Sequence, residues 1–288
     1  MIDMIVVGGG IMGITIADWL TQKLDMDVRV FDYGDPMAGT PPSGGSVKPS
    51  KLTGLDDEQL KPALKVLDGV YGLTKETFTI RPSGGLLKAD VYQIPVELVV
   101  NAVKYPYKVT SIVQGTPHIV VYEGKHGEKM TVKCRRVVVA AGMGCAFLLP
   151  SVFGKGELSA KRGVSFRFEG NIDKPFVQAW APYKQITVHN IEQDGEFQIW
   201  GSDGSALKPE SWTDQRTAEC LGRVQNALGA KHKVLKTITG YRSFHGKSKP
   251  CFLKELAPGF WVATGAGKFG CIAAGWAAEQ IYKTIQEG

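Results

Sequence analysis

The N-terminal part of the chain alternates between apolar runs and a helical apolar pattern. Residues 4–7 form an apolar, mostly β-branched run that leads into consecutive glycines. Residues 11–24 then carry apolar side chains at helical spacing, and a second apolar run, residues 28–31, stops at Asp32. This pattern predicts a strand, a tight turn, a helix and a second strand, which together form a βαβ unit.

Further strand and helix patterns follow along the chain. Residues 34–50 are rich in Gly, Pro and Ser and predict a loop without a regular element. Helices are expected at residues 56–71, 213–228 and 270–286. Strands are expected at residues 77–88 with a break at 82–85, at 107–113, 119–123, 130–133, 136–141 and 260–263, and in a second antiparallel sheet between 163 and 200.

This order of elements predicts an α/β protein with two interleaved domains. The expected division places residues 1–80, 105–160 and 235–288 in a Rossmann-like nucleotide-binding domain. Residues 81–104 and 161–234 would form a smaller, antiparallel β-sheet domain that binds the substrate.

Composition narrows the class of protein. With 288 residues, 43% hydrophobic and 22% charged, the chain is expected to bury a sizeable core. Its five cysteines form no CxxC pair and its five histidines form no HxxxH or HxH pair, so no metal site is expected. No apolar run is long enough for a membrane span and no basic leader is evident, so a soluble, cytoplasmic protein without a membrane partner is expected. The net charge of +6 favours anionic partners.

The first glycine-rich turn predicts a bound dinucleotide. Gly8, Gly10 and Gly13 form a GxGxxG motif between an apolar strand and a helix, and Asp32 ends the next strand about 20 residues later. The first glycine permits the tight turn, the second lets the backbone approach a pyrophosphate, and the third lets the helix pack on the strand. The Asp32 carboxylate can accept hydrogen bonds from a ribose.

A second GxGxxG motif occurs near the C-terminus, at Gly265, Gly267 and Gly270. It again lies between an apolar strand and a helix. One dinucleotide needs only one such turn at its pyrophosphate, so a second helix N-terminus predicts contact with another electron-rich part of the same cofactor. The N1–C2=O edge of a reduced flavin is such a part.

Four segments of the chain carry a family resemblance. They are residues 5–13 with Asp32, residues 39–48, residues 136–142, and residues 240–242 leading to 261–270. Together they resemble the D-amino-acid oxidase and glycine oxidase superfamily of FAD-dependent oxidoreductases, which includes the sarcosine oxidases. The resemblance implies a glutathione-reductase-like FAD-binding domain interleaved with the substrate sheet. No cysteine or histidine motif for covalent flavin attachment is evident near the N-terminus, so FAD is expected to be bound non-covalently.

The resemblance also implies which residues contact FAD. The first glycine turn would hold the pyrophosphate, Asp32 the adenosine ribose, and the backbone of Val109 the adenine. Thr40 and residues 43–48 would surround the region from phosphate to flavin. Ala141 and Gly142 would close over the adenosine side, and the second glycine turn would meet the flavin pyrimidine. The expected FAD-binding residues are Gly8, Gly10, Ile11, Met12, Gly13, Asp32, Tyr33, Thr40, Ser43, Gly44, Gly45, Ser46, Val47, Lys48, Val109, Ala141, Gly142, Gly265, Gly267, Lys268, Phe269 and Gly270.

The expected catalytic residues are Arg242, Lys48, Tyr241 and His245. Arg242 lies where the resembled enzymes have an arginine that fixes the substrate carboxylate, and a planar guanidinium suits this role because it binds a carboxylate through two parallel hydrogen bonds. The alternative is an arginine in a structural ion pair. Lys48 would lie beside the flavin, or else point to solvent or pair with a carboxylate. His245 has the alternative of a structural turn residue.

The chain also departs from the family pattern. Residues 243–251 replace the proline and the Asp-Gly-x-Pro stretch that usually follow the arginine. The chain is also shorter than typical members, which suggests a reduced cap and a more open site.

The function expected from these observations is oxidation of a carbon–nitrogen bond in an amino acid or secondary amine, with hydride transfer to flavin N5. Molecular oxygen or another acceptor would then take the electrons. One alternative keeps the flavin but changes the substrate to an amino-acid adduct on a nucleobase of tRNA or DNA. Two further alternatives are an NAD-dependent dehydrogenase and a non-catalytic nucleotide-binding protein.

Overall fold

A computed structural model describes residues 1–34, 38, 46–47, 56–81, 87–94, 102–124, 126–154, 156–181, 184–193, 196–229, 231–246 and 250–288. These residues form two β-sheets with helices packed against each. No helix in the described ranges combines the length and the apolarity needed to cross a membrane.

The first sheet is built mainly from parallel strands. Its strands are β1 (Ile2–Val7), β2 (Val28–Phe31), β6 (Val103–Tyr105), β7 (Lys108–Val113), β8 (His118–Glu123), β9 (Lys129–Val139), β15 (Phe252–Ala257) and β16 (Phe260–Thr264). The parallel strands have the order β16-β9-β1-β2-β6. One antiparallel strand, β15, extends the sheet beyond β16, and an antiparallel hairpin of β7 and β8 joins the sheet where β8 pairs with β9.

Both faces of this sheet are buried, which explains why its central strands are continuous apolar runs. Met4 and Val6 of β1 face a core cluster formed with the helices α1 (Ile11–Leu24), α2 (Asp57–Tyr71) and α5 (Gly270–Glu287). Ile5 and Val7 face a second cluster on the other side, beneath the β7–β8 hairpin and the short helix α3 (Cys145–Leu148).

The second sheet is mostly antiparallel. Its strands are β3 (Ser46–Val47), β4 (Thr74–Arg81), β5 (Leu87–Gln93), β10 (Leu158–Glu169), β11 (Phe176–Ala181), β12 (Lys184–Gln193), β13 (Glu196–Leu207) and β14 (Val234–His245). Their order is β14-β10-β13-β12-β11-β4-β5-β3, with β11 and β4 parallel. Helix α4 (Asp214–Leu228) covers one face, where Phe166, Phe168 and Val224 belong to one buried cluster.

The βαβ unit, the antiparallel strands and the interleaving of parallel and antiparallel sheets follow the sequence prediction. Several elements differ. The expected strands at 130–133 and 136–141 are one strand, β9, which pairs with β8 up to Cys134 and with β1 from Cys134 onward. The short strand β3 lies where a loop was expected. Strands β6, β14 and β15 were not predicted, because all three lie at sheet edges and none of them shows a clean apolar alternation.

The unpredicted strands bear on the expected domain division. β14 pairs with β10 of the second sheet, although residues 235–288 were assigned to the nucleotide-binding domain. β6 pairs with β2 of the first sheet, although residues 81–104 were assigned to the substrate domain. The division itself stays a prediction.

Candidate functional site

The carboxyl ends of three neighbouring parallel strands meet at one edge of the first sheet. The backbone N–H of Gly8, after β1, donates to the carbonyl of Phe31 at 2.8 Å, and the N–H of Ala140, after β9, donates to the carbonyl of Val7 at 2.8 Å. The N–H of Asp32, after β2, donates to the carbonyl of Tyr105 at 3.0 Å. Ligands of α/β sheets bind at such edges.

The turn between β1 and α1 has no room for side chains. Gly8 has a φ of +106°, and a Cβ added there would lie 2.6 Å from the carbonyl oxygen of Ala140. A Cβ at Gly13 would overlap the carbonyl of Gly8. Helix α1 therefore begins in direct contact with the turn, as the GxGxxG pattern predicts.

The N-terminus of α1 is open to an anion. Its N-cap residue, Gly10, is extended, no side chain caps the helix, and the first turn has no acidic residue. The side chains of Ile11 and Met12 are buried in the core, so these residues would reach a ligand only through their backbone. The helix dipole adds partial positive charge at this end.

The Asp32 carboxylate lies directly over the first glycine turn. A Cβ added at Gly9 would lie 2.5 Å from its Oδ2 atom. The same oxygen is 2.8 Å from the ammonium of Lys104, whose side chain is 41% exposed. Tyr33, the next residue, is 56% exposed. The sequence did not point to Lys104 because strand β6 was not predicted.

Val109 lies in β7, on the hairpin that covers the other face of the first sheet. It is 9% exposed and belongs to the buried cluster that contains Phe31. The pairing of β7 with β8 shifts just after Val109, so Thr110 is left out of the ladder. A bulge of this kind frees backbone groups for other contacts.

The second glycine turn connects β16 with α5 and lies against the end of β14. Gly265 has a φ of +74°, and its N–H lies 3.3 Å from the Ser243 hydroxyl oxygen, to which it donates. Gly267 has a φ of +56°, and a Cβ added there would lie 2.5 Å from the ring of Phe244. Gly270 begins α5, and the N–H of Phe269 donates to the carbonyl of Ala266.

A side-chain hydrogen bond links this turn to the end of β9. The hydroxyl of Thr264 donates to the carbonyl of Gly142 at 2.8 Å. Gly142 begins a 3₁₀ turn with a φ of +56°, next to the half-buried Ala141. The two glycine turns and the end of β9 therefore form one continuous edge.

The alternation of side chains along β14 separates the catalytic candidates. Arg242 is directly opposite Lys161 of β10, whereas Tyr241 is opposite Arg162. The Arg162 guanidinium lies over the Trp212 ring, on the side of the sheet covered by α4. Because adjacent strand residues point to opposite faces, Tyr241 does not share a face with Arg242.

His245 also lies away from Arg242. Its ring contacts the rings of Phe252 and Phe153, with centroids 4.7 and 6.4 Å away, and its backbone N–H donates to the carbonyl of Gly265 at 3.2 Å. These contacts favour the structural reading of His245.

Arg242 is half-buried, and its guanidinium lies over Gly163, where a Cβ would be 3.2 Å from Cζ. Burial lowers the pKa of the guanidinium from its usual value, and the negative charge of Asp203 opposes this shift. Asp203 itself pairs with Arg223 of α4 at 2.6 Å, on the other face of the sheet. Within the described residues, no carboxylate forms an ion pair with Arg242.

Sequence reasoning missed two side chains beside Arg242. Phe244 rests against Gly267, and the ammonium of Lys161 lies 4.8 Å from the centre of the Phe244 ring. Neither residue belongs to a motif. Only the pairing of β14 with β10 brings them together, and no local pattern reports that pairing.

Several expected FAD contacts fall partly or wholly outside the described residues. The backbone of Ser46 and Val47 forms β3, which pairs with Gln93 and Tyr92 of β5. The backbone of Lys268 belongs to the 3₁₀ turn before α5. The predicted contacts outside the described residues are Thr40, Ser43, Gly44, Gly45 and Lys48.

The described residues fit FAD. Gly8 and Gly13 leave backbone where a Cβ would collide, the N-terminus of α1 carries no capping side chain, and Asp32 lies over the turn. The pyrophosphate can therefore approach the turn closely. Among the described residues, no His, Cys, Asp and Glu side chains form a group that could hold a metal ion.

Comparisons with known proteins agree with this geometry. The family model for FAD dependent oxidoreductases named DAO matches residues 101–283. The fold is similar to that of L-amino acid deaminase from Proteus vulgaris, with a TM-score of 0.72 and 13% identity over 99% of this chain and 90% of that chain.

Two further solved structures cover nearly the full length. Iminodiacetate oxidase from Chelativorans sp. BNC1 has a TM-score of 0.71 and 13% identity over 99% of this chain and 95% of that chain. Glycine oxidase from Bacillus cereus has a TM-score of 0.68 and 16% identity over 100% and 95%. No curated protein matches the chain.

Proposed function

This chain belongs to the DAO family of FAD-dependent oxidoreductases, and we propose that it oxidises the carbon–nitrogen bond of an amine that carries a carboxylate, which Arg242 binds. When bound, FAD would accept a hydride at flavin N5 from the carbon next to the nitrogen and pass the electrons to oxygen or another acceptor. Membership of this family of FAD-dependent oxidoreductases argues against the two alternatives, an NAD-dependent dehydrogenase and a non-catalytic nucleotide-binding protein.

The position and charge of Arg242 carry the proposal. Its guanidinium lies over Gly163 of β10, on the face of the second sheet that also carries Phe244, and Phe244 touches the second glycine turn. No described carboxylate forms an ion pair with this half-buried cation. A buried charge without a partner costs free energy, and a substrate carboxylate would remove that cost.

These residues would act by orientation. A guanidinium that holds a carboxylate through two hydrogen bonds fixes the adjacent α-carbon in one place. Phe244 would exclude water between Arg242 and the glycine turn. Alignment of the reacting carbon is a large part of catalysis, since it replaces a bimolecular encounter.

The similar solved structures support an amine or amino-acid substrate. They are described as oxidases of glycine and iminodiacetate and as a deaminase of L-amino acids. They give no support to a nucleic acid partner, so the nucleobase adduct stays an alternative prediction. Including a glycyl-modified nucleoside among the test amines addresses it directly.

The test is anaerobic reduction of the FAD-loaded protein by glycine, sarcosine, D-amino acids, L-amino acids and a glycyl-modified nucleoside. We expect a free amino acid or secondary amine to bleach the flavin absorbance. In Arg242→Met, the substrate concentration for half-maximal bleaching should rise by about 10-fold to 150-fold, because a hydrogen-bonded charge pair is worth about 1.5–3 kcal/mol.

Arg242→Lys should recover part of this loss, since it keeps the charge but not the paired hydrogen bonds. Arg135→Met is the matched control, because Arg135 is 59% exposed and pairs with Asp3 far from the site. Equal half-saturation in wild type and Arg242→Met would contradict the role of Arg242. Bleaching by the nucleoside alone would favour the alternative.

A further inference from the structure

Lys161 places a second positive charge beside Arg242. The two residues are directly opposite each other on β10 and β14, so their Cβ atoms are about 5 Å apart. Like charges at such positions destabilise a sheet unless an anion lies between or beside them. Neither cation has an ion-pair partner among the described carboxylates.

The Lys161 ammonium is positioned by an aromatic ring. It lies 4.8 Å from the centre of the Phe244 ring, at a distance typical of cation–π contacts. Phe244 in turn rests against Gly267 in the second glycine turn. The side chain therefore follows the sheet toward the flavin-binding edge, and Lys161 is half-buried.

Lys161 and Arg242 differ in how they can hold an anion. The guanidinium is a planar fork that suits a single carboxylate, whereas the ammonium is a point charge with three donors. Gly163 leaves space for the guanidinium on the diagonal position of β10. The two cationic groups contact different residues: the Arg242 guanidinium lies over Gly163, and the Lys161 ammonium lies near the Phe244 ring. This separation suits two anionic groups better than one.

We propose that Lys161 is a second substrate-binding residue and that the preferred substrate is an amine with two carboxylates, one held by Arg242 and the other by Lys161. This inference rests on the proposed function, because it concerns the same site. Lys161 would select among amines by charge, and Arg242 would orient the reacting carbon.

The test measures binding of anions that cannot be oxidised. Acetate, butyrate, malonate, succinate and glutarate are titrated into the FAD-loaded protein, and binding is followed by the change in flavin absorbance and by thermal shift. We expect at least one dicarboxylate to bind about 30-fold more tightly than either monocarboxylate, as a hydrogen bond to a charged group allows.

Three variants separate the role of Lys161 from general charge effects. Lys161→Met should abolish the preference for dicarboxylates and leave monocarboxylate binding within about threefold, whereas Lys161→Arg should retain most of the preference. Lys236→Met is the matched control. Lys236 lies on β14, the strand of Arg242, and carries the same charge as Lys161, but six residues of extended strand place it about 20 Å from Arg242.

Two outcomes would overturn the inference. One is a wild-type protein that binds mono- and dicarboxylates equally, and the other is Lys161→Met with its preference intact. Flavin reduction by amines with two carboxylates, iminodiacetate and D-aspartate, is compared with reduction by amines with one, glycine and D-alanine. This comparison distinguishes failure of the inference about Lys161 from failure of the proposed function. Bleaching by monocarboxylate amines without any dicarboxylate preference overturns only the inference. If no amine bleaches the flavin but dicarboxylate binding depends on Lys161, the proposed function fails and the second cation is supported.

Discussion

Substitution of Gly267 by alanine tests whether the second glycine turn and β14 are packed as closely as the structure indicates. Gly267 has a φ of +56°, and alanine in this left-handed region costs about 1–2 kcal/mol. The new Cβ would also lie 2.5 Å from Cε1 of Phe244, so the ring must move. Overpacking of this kind costs about 1–3 kcal/mol. We expect Gly267→Ala to lower the unfolding free energy by about 2–5 kcal/mol, a large part of the usual total.

The two contributions can be separated by a double-mutant cycle. In a Phe244→Ala background the ring is absent, so Gly267→Ala should cost only the backbone strain of about 1–2 kcal/mol. The difference between the two backgrounds measures the steric overlap. Denaturant unfolding of the FAD-free protein gives the free energies, and quenching of flavin fluorescence gives the affinity for FAD, which should fall in Gly267→Ala.

Gly222→Ala is the matched control. Gly222 lies in helix α4, and a Cβ added there meets nothing within 4 Å. Alanine at this position should stabilise the protein by about 0.5–1 kcal/mol, because glycine is a poor helix former. The packing of Phe244 on Gly267 would be refuted if Gly267→Ala cost less than about 0.5 kcal/mol, or the same amount in both backgrounds.

Two further predictions concern the adenosine side and the buried thiols. Asp32→Asn should weaken FAD binding by about tenfold, because the charge-assisted hydrogen bonds to the ribose are lost. It should change the unfolding free energy by less than about 1 kcal/mol, since the ion pair of Asp32 with Lys104 is partly exposed. Asp27→Asn, on the exposed segment before β2, is the control, and equal FAD affinity in both variants would contradict the ribose role. Burial raises the pKa of four thiols from 9.0 to about 12, so the folded protein favours their protonated form; they are the thiols of Cys134, Cys145, Cys251 and Cys271. Their stabilising contribution is complete below pH 9 and is lost as the pH rises toward 12, by about 1.4 kcal/mol per thiol for each pH unit. Denaturant unfolding at pH 8 to 10.5 measures how the unfolding free energy depends on pH. Cys251→Ala should reduce the slope of that dependence by the contribution of one thiol. An unfolding free energy that does not change over this pH range would contradict the prediction.

The departures from the family pattern coincide with the part of the fold that the sequence predicted least well. Residues 243–251 replace the usual segment after the arginine, and Ser243, Phe244 and His245 of this stretch all contact the second glycine turn. The mixed polar and apolar sequence of β14 hid it as a strand, although it carries Arg242. The proposed substrate site therefore depends on an edge strand with no clear periodicity.

The sequence by itself determined the fold class, the family and the two glycine turns. These features are local, because a buried parallel strand requires a continuous apolar run and the turn into α1 requires glycine where the backbone meets Ala140. Only the tertiary structure decided which side chains lie on the same face of the second sheet as Arg242. Lys161 joins Arg242, whereas Tyr241 and His245 do not, because the register of β14 against β10 brings together residues that are far apart in the sequence. A shift of that register by one residue would exchange the two faces, and no pattern within either strand records it.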